Sequence, residues 1–409
     1  MATEVFPVAA LGNLAINFDG RRMPVKESDR KPGPHPYYGA SGIVDFIDDY
    51  IFDGEYLLIS EDGENLRTRK TPIAFMARGK FWPNNHVHVI RGNEHADTRY
   101  LCYALSATDI GGYLTGSTMP KLTQGNLNRL PVISPPLSEQ KRIAGILGAL
   151  DDKIELNRKM NETLEQMAKT LFKSWFVDFD PVHAKAAGSQ PAGMDKATAD
   201  LFPDSLVESE TGKIPSGWKP GSLSDLSEFS RESINPGESP SEIFDHYSLP
   251  SFDEGKAPKA EEGSDIKSNK LIVTKTCVLL SKLNPHIPRI WLPNLNASRR
   301  SICSTEFIVA SAIAGCTREY LYALFISEDF SRTYGTLVTG TTGSHQRIRA
   351  EGVLQMRLPV PPSELISSFT DTIAPMLNQV ARNTKESQAL AELRDTLLPQ
   401  LLSGDLKAA

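Results

Sequence analysis

Apolar residues recur every seven positions along two stretches of the chain, and this pattern predicts two long helices. Ile143, Leu150, Asn157, Leu164 and Leu171 form one row, with Leu147, Ile154, Asn161, Ala168 and Trp175 beside it. Seven residues are close to two helical turns, so each row lies along one helix face. Pro135-Pro136 precedes the stretch, and Ser138 is the expected N-cap of a helix reaching about residue 176. Shifting the first row by 226 positions (369 − 143) gives Phe369, Met376, Asn383, Leu390 and Leu397, so the row and its single asparagine both recur. Ser363, after Pro361-Pro362, is the expected cap of this second helix, and Pro375 should kink it near its start. Asn157 and Asn383 each sit at the middle of a row. Middle meets middle only when the helices run antiparallel, so an antiparallel pair is expected, with the asparagines costing stability and fixing register. Glu155 with Lys159, and Glu165 with Lys169, are i,i+4 pairs suited to the outer face.

Outside these helices the pattern changes to short β-type runs: Tyr56–Ser60, His86–Ile90, Leu271–Thr274 and Phe307–Ala310. Helical segments near 98–108 and 318–330 interleave with them, so each globular part is α/β (mixed α+β). The two parts are also related. FPVAALGNL at Phe6–Leu14 parallels WKPGSLSDL at Trp218–Leu226, and EYLLIS at Glu55–Ser60 parallels TCVLLS at Thr276–Ser281. Tyr100-Leu101 with Tyr103-Ala104-Leu105 parallels Tyr320-Leu321 with Tyr322-Ala323-Leu324. Leu114–Ser117 parallels Val338–Thr341, and Leu130-Pro131-Val132 parallels Leu358-Pro359-Val360. Matches in one unbroken order describe an internal repeat. The expected layout is a globular domain at 1–135, a long helix at 136–177, a linker at 178–216, a second globular domain at 217–360 and a second helix at 361–404. This is a pseudo-twofold arrangement of two tandem domains with two long antiparallel helices.

Composition adds limits. The 409 residues are 40% hydrophobic and 23% charged, so each domain can bury a core. No stretch nears the ~20 apolar residues that cross a bilayer. The N-terminus has no signal-peptide pattern, and Cys102, Cys277, Cys303 and Cys316 are scattered, as for reduced thiols in a cytoplasmic protein. The net charge of −6 leaves room for DNA binding through local basic segments.

Motifs for chemistry are missing. There is no P-loop, no GxGxxG after a strand, no HExxH and no GxSxG. His86 and His88 lack a third ligand nearby. Asp204 with Glu254 and Lys256 imitates a nuclease set only at long separation, and the acidic group Asp48, Asp49, Asp53 and Glu55 reads as a solvated turn. What remains are polar, basic loops at equivalent places in the repeat. The first part has Arg67, Arg69, Lys70, Lys121 and Gln124; the second has Arg289, Arg299, Arg300, His345, Gln346, Arg347 and Arg349. Arg and Lys suit phosphates and guanine edges, and Gln suits adenine edges. A two-lobed nuclease and a protein scaffold that never touches DNA stay open as other readings.

Several segments together resemble the specificity subunit of type I restriction–modification systems. They are PYYGASGIVD at Pro36–Asp45, DGEYLLI at Asp53–Ile59, PPLSEQ at Pro135–Gln140, WFVDFDP at Trp175–Pro181, LFPDS at Leu201–Ser205 and LLPQLLSG at Leu397–Gly404. The second unit departs from the pattern, with Leu365 where the first has Gln140. The resemblance implies two target-recognition domains, each reading half of a split, asymmetric site in double-stranded DNA, and helices that dock two methyltransferase subunits. It implies a non-catalytic subunit: S-adenosylmethionine, ATP and Mg would sit on the methyltransferase and restriction/translocase partners. Helices of ~36 residues at ~1.5 Å per residue would make a ~54 Å spacer.

Overall fold

The computed structural model describes residues 6–210, 212–339 and 346–406. The chain forms two compact units, one of Met1–Ile154 with Ala389–Ala409 and one of Glu155–Gln388. Both long helices, Leu137–Phe176 and Ser363–Ser403, are divided between the units.

The first unit is built on a six-stranded sheet in the order Ala15–Asn17, Val87–Gly92, Phe52–Ser60, Ala74–Pro83, Pro32–Gly39, Gly42–Ile47. Its pairings are antiparallel except that of Pro32–Gly39 with Ala74–Pro83. Strand Phe52–Ser60 lies between two neighbours, and Tyr56 to Ser60 are all buried. Alternation explains why an unbroken apolar run is needed there. Leu57 and Ile59 join a core with Tyr100 and Leu101 of helix Thr98–Ala107, whereas Tyr56 and Leu58 pack with Phe52, Phe81 and Val89. Ile143 and Leu147 of the first long helix and Leu401 and Leu402 of the second complete the former core. The start of one helix thus shares a core with the end of the other.

The second unit carries a four-stranded sheet, in the order Ser227–Ser230, Phe307–Ala312, Cys277–Ser281, Ile290–Trp291, and a separate five-stranded sheet. Here the end of the first long helix meets the start of the second. Phe369 lies 4.9 to 6.2 Å, centroid to centroid, from Phe172, Trp175, Phe176 and Tyr320.

The repeat is visible in the backbone. Each unit contains a strand, a 3-10 turn and a strand in succession: Val8–Ala10, Leu11–Asn13, Ala15–Asn17 in one and Lys219–Ser222, Leu223–Asp225, Ser227–Ser230 in the other. In both, the first of these strands pairs with the strand leading into a long helix. Helix caps fix the register further along, since Asp97 accepts from the Tyr100 amide and Thr317 from that of Tyr320. Tyr100 therefore corresponds to Tyr320, and the parallel of Tyr103 with Tyr322 is one residue out of step.

The antiparallel seam places its asparagines together within the second unit. Asn157 Nδ2 donates to Glu386 Oε2 at 2.8 Å and Ser387 Oγ at 3.3 Å, and Asn383 Nδ2 donates to Asn161 Oδ1 at 2.8 Å. Both Asn157 and Asn383 are buried, as are Ile143 and Phe369. Leu150, Leu164, Leu171, Met376, Leu390 and Leu397 are half-buried. Next to Met376, it is Ile373 and Leu377 that are buried.

Several expectations need correction. Ser138 and Ser363 are already inside their helices, because the carbonyls of Pro136 and Pro362 accept the first helical bonds. Pro375 does not end the second helix, in keeping with an expected local kink rather than a break. Pro375 and Asp371, whose carbonyl loses its donor, are both exposed, so water can serve that carbonyl. Residues 178–216, expected as a linker, are ordered. They form helices Asp180–Ala186 and Lys196–Asp200 and hairpin Leu206–Ser209 with Gly212–Pro215. Phe179, Val182, Phe202 and Ile214 enter the second unit's core, spaced too widely to show a period. Glu165 does not pair with Lys169: it accepts from Lys256 and Tyr322, while Lys169 reaches Glu328.

Candidate nucleic-acid interface

In the first unit the polar loops gather where the central strand ends. Past Ser60, the Glu61 amide bonds the His86 carbonyl at 2.9 Å, and the Leu122 amide bonds the Glu61 carbonyl at 2.8 Å. Thr115 and Lys121 exchange amide–carbonyl bonds at 2.8 and 2.7 Å, which closes the loop between them. Gly116 permits the turn: its φ is +86°, and a Cβ there would stand 2.2 Å from the Met119 carbonyl oxygen. Ser117, Thr118 and Met119 at the tip are exposed.

The second unit repeats this device. The Lys282 amide bonds the Glu306 carbonyl at 2.8 Å, and the Ile348 amide bonds the Lys282 carbonyl at 3.1 Å. Thr339 pairs with Arg347 as Thr115 does with Lys121. Corresponding positions are therefore Glu61 and Lys282, His86 and Glu306, His88 and Ile308, Lys121 and Arg347, and Leu122 and Ile348.

The candidate residues have distinct surroundings. Lys121 Nζ lies 3.0 Å from Glu61, with half its side chain exposed, and Arg347 Nη2 lies 2.9 Å from Glu306. Gln124 is exposed at the start of helix Gln124–Asn128, which Thr123 caps. Arg349 stands at the cap position of the matching helix Ala350–Leu354. Lys70 is exposed, and the Gln346 carbonyl accepts from the Asn284 amide. Arg67 holds the loop tip by donating to the Gly116 and Ser117 carbonyls at 3.1 and 3.3 Å. Arg69, in left-handed backbone geometry, donates to the Ser106 and Thr108 carbonyls and serves the fold. Arg289 forms a bidentate pair with Asp253 at 2.7 and 2.9 Å and is only 13% exposed, so its guanidinium is committed within the unit. Arg299 and Arg300 adjoin the five-stranded sheet, paired with Asp245 and Glu242. His345 lies outside the described residues.

Some residues at this end escape sequence reasoning. The sequence sets His86 aside as a metal ligand and gives it no other role, yet it is exposed and bonds Asp62 Oδ2 at 2.8 Å beside Lys121. His88 is buried instead, so the two rings have separate partners. No metal-holding group of three or more His, Cys, Asp or Glu occurs among the described residues. Lys282 could have been found by reading one position past the EYLLIS and TCVLLS matches. The nuclease set does not assemble, since Lys256 pairs with Glu165 and Glu254 with Lys259.

A buried polar network backs the first loop. His88 Nδ1 meets Asp19 Oδ2 at 2.6 Å and its Nε2 meets the Leu122 carbonyl at 2.7 Å. Arg22 bridges Glu61 at 2.6 Å and the Val87 carbonyl. Burial pushes the Asp19 carboxyl up, but His88 and the Val89 amide outweigh it and hold it below its usual range. Burial acts the same way on Glu61, and Arg22, Lys121 and His88 prevail there too.

Known proteins share this plan. The type I restriction enzyme HindI specificity subunit of Haemophilus influenzae is 26% identical over 349 residues, 71% of this chain and 72% of its own length. S.HindORF215P of the same organism is 40% identical over 144 residues, 35% of this chain but only 36% of its own length. The crystal structure of the type I restriction–modification S subunit from M. genitalium shares the fold, with a TM-score of 0.57 at 13% identity, over 98% of this chain and 97% of that one. Residues 4–166 match the type I restriction modification DNA specificity domain, and the chain resembles the specificity subunits of type I restriction–modification systems.

Proposed function

We propose that the chain is the sequence-specific DNA-binding subunit of a type I restriction–modification complex, with each unit reading one half of a bipartite, asymmetric site. One observation carries this reading. The same loop device occurs twice on the same backbone pairing, with Lys121, Glu61 and His86 in one copy and Arg347, Lys282 and Glu306 in the other. A conserved mount with changed side chains is what two readers of different sequences require. Lys121 and Arg347 suit phosphates or guanine edges, and Gln124 suits an adenine edge.

The long helices would dock two methyltransferase subunits. Leu156, Met160 and Met167 are exposed on the first helix at spacings of four and seven, hence on one face. The chain itself would be non-catalytic, with S-adenosylmethionine on the methyltransferases and ATP and Mg on restriction/translocase partners. Partner charge would also share phosphate neutralisation with a chain of net charge −6.

The deciding experiment maps methylated adenines in DNA exposed to the chain assembled with its methyltransferase. Two half-sites at a fixed spacing are expected, and exchanging residues 1–135 for those of a relative should change one of them. A single contiguous site, or a change in both halves, would overturn the reading.

A further inference from the structure

We infer that His88, backed by Asp19, is a positioning residue for the first unit's DNA-reading loop, and that the corresponding position of the second unit, Ile308, supplies no such clamp. The inference rests on the function proposed above. His88 is 1% exposed and sits on strand Val87–Gly92, inside the sheet. The Leu122 carbonyl can only accept, so Nε2 must donate to it. Nδ1 meets Asp19 Oδ2 at 2.6 Å, so the ring bridges the 3-10 turn Asp19–Arg21 to the loop backbone at Leu122. Charged groups face the ring from several elements: Asp19 at 2.6 Å and Glu61 at 3.9 Å, with Arg22 and Lys121 each paired to Glu61. Leu122 follows Lys121 and precedes Thr123, which caps the helix that begins at Gln124. Fixing the Leu122 carbonyl therefore fixes the backbone that carries both candidate DNA contacts. No base need touch His88 for it to matter.

In the second unit the corresponding residue is Ile308, which has no side-chain hydrogen bond to offer, and Ile348 replaces Leu122. Among the described residues, that loop is held by the pairing of Lys282, Leu283 and Asn284 with Gln346–Ile348, by that of Val338–Thr339 with Arg347–Ile348, and by the Arg347–Glu306 ion pair. The two loops thus share a path but differ in what stands behind them.

The test compares the wild-type full chain with H88I, which copies the second unit, and H88Q, whose amide can still donate towards Leu122. Amide hydrogen exchange is measured without DNA, with the Ile348 amide as internal reference. Losing the hydrogen bond that holds the Leu122 carbonyl should speed Leu122 exchange about tenfold in H88I. Ile348, which belongs to the other unit and shares no partner with His88, should change by less than about twofold. In the chain assembled with its methyltransferase, competition with altered duplexes should show about tenfold weaker discrimination at one half-site only. H88Q should recover part of both effects. Unchanged Leu122 exchange, equal losses at both half-sites, or H88Q as impaired as H88I would each overturn the clamp. If the wild-type complex prefers no duplex, the proposed function falls, and the exchange measurement still decides the clamp.

Discussion

The two loop ends differ most in where their negative charge sits. In the first unit the carboxylate that pairs with the loop cation is Glu61, on the central strand's own extension. In the second it is Glu306, in the turn just ahead of the neighbouring strand Phe307–Ala312, and Lys282 occupies the place of Glu61. The cation keeps its backbone position while its partner moves one strand sideways. The lesson is that the backbone pairing is the constant element, and the charge pattern around it is free to vary.

The contrast can be broken or sharpened by substitution. The largest effect is expected in the second unit's core, where Phe369→Ala removes a ring buried among Phe172, Trp175, Phe176 and Tyr320. The loss should be about 3–5 kcal/mol in denaturant unfolding. The first unit's corresponding core is closed by aliphatic Leu401 and Leu402, so its own transition should stay put. Next, Asp19→Ala leaves His88 and the Val89 amide without their buried acceptor, and about 3 kcal/mol should be lost from the first unit. A loss below about 1 kcal/mol would mean the network does not hold the loop end together.

Exchanging charges tests the sideways shift directly. Glu61→Lys alone sets a cation against Lys121 and Arg22, and adding His86→Glu rebuilds the second unit's pattern. A double-mutant cycle should show coupling of about 1 kcal/mol in favour of the pair; no coupling would separate the two positions. Acid gives a smaller contrast. Asp19 and Glu61 have lowered pKa values in the fold, so the stability they add is complete above the ordinary carboxyl range of about 4. It is lost as pH falls through their lowered values. Below about pH 4, Leu122 exchange should therefore quicken relative to Ile348; a constant ratio would count against the network. The smallest effect is expected at the helix seam. Asn157→Leu should change stability by about 1 kcal/mol or less, since its Oδ1 is buried without a partner among the described residues. Its effect should fall on register, read by cross-linking cysteines placed across the two helices.

The long helices, the repeat and the strand run Tyr56–Ser60 were all legible, because heptads and unbroken apolar runs state burial directly. The antiparallel sense followed from the placement of one asparagine in each row. The ordered segment 178–216 was not legible, since its core residues Phe179, Val182, Phe202 and Ile214 follow no period. At the loops, sequence could nominate cations but not their partners. Arg289 and Arg69 look like Lys121 on paper, and only three-dimensional neighbours such as Asp253 and the Thr108 carbonyl distinguish them. The role of His88 was not legible for the same reason: its acceptors come from residues 19 and 122, far from it in the chain.

The division of the chain also has a temporal side. Most of the first unit is translated early, yet Leu401 and Leu402, which line its core, come only after residues 155–388 have been made. At roughly 5–20 residues per second, the ribosome takes on the order of ten to fifty seconds to cover that distance. For that interval Ile143 and Leu147 lack one wall of their pocket, which makes the nascent domain a natural client for a holding chaperone. A frameshift just before codon 389 would spare nearly every codon of the second unit and still leave the first one open.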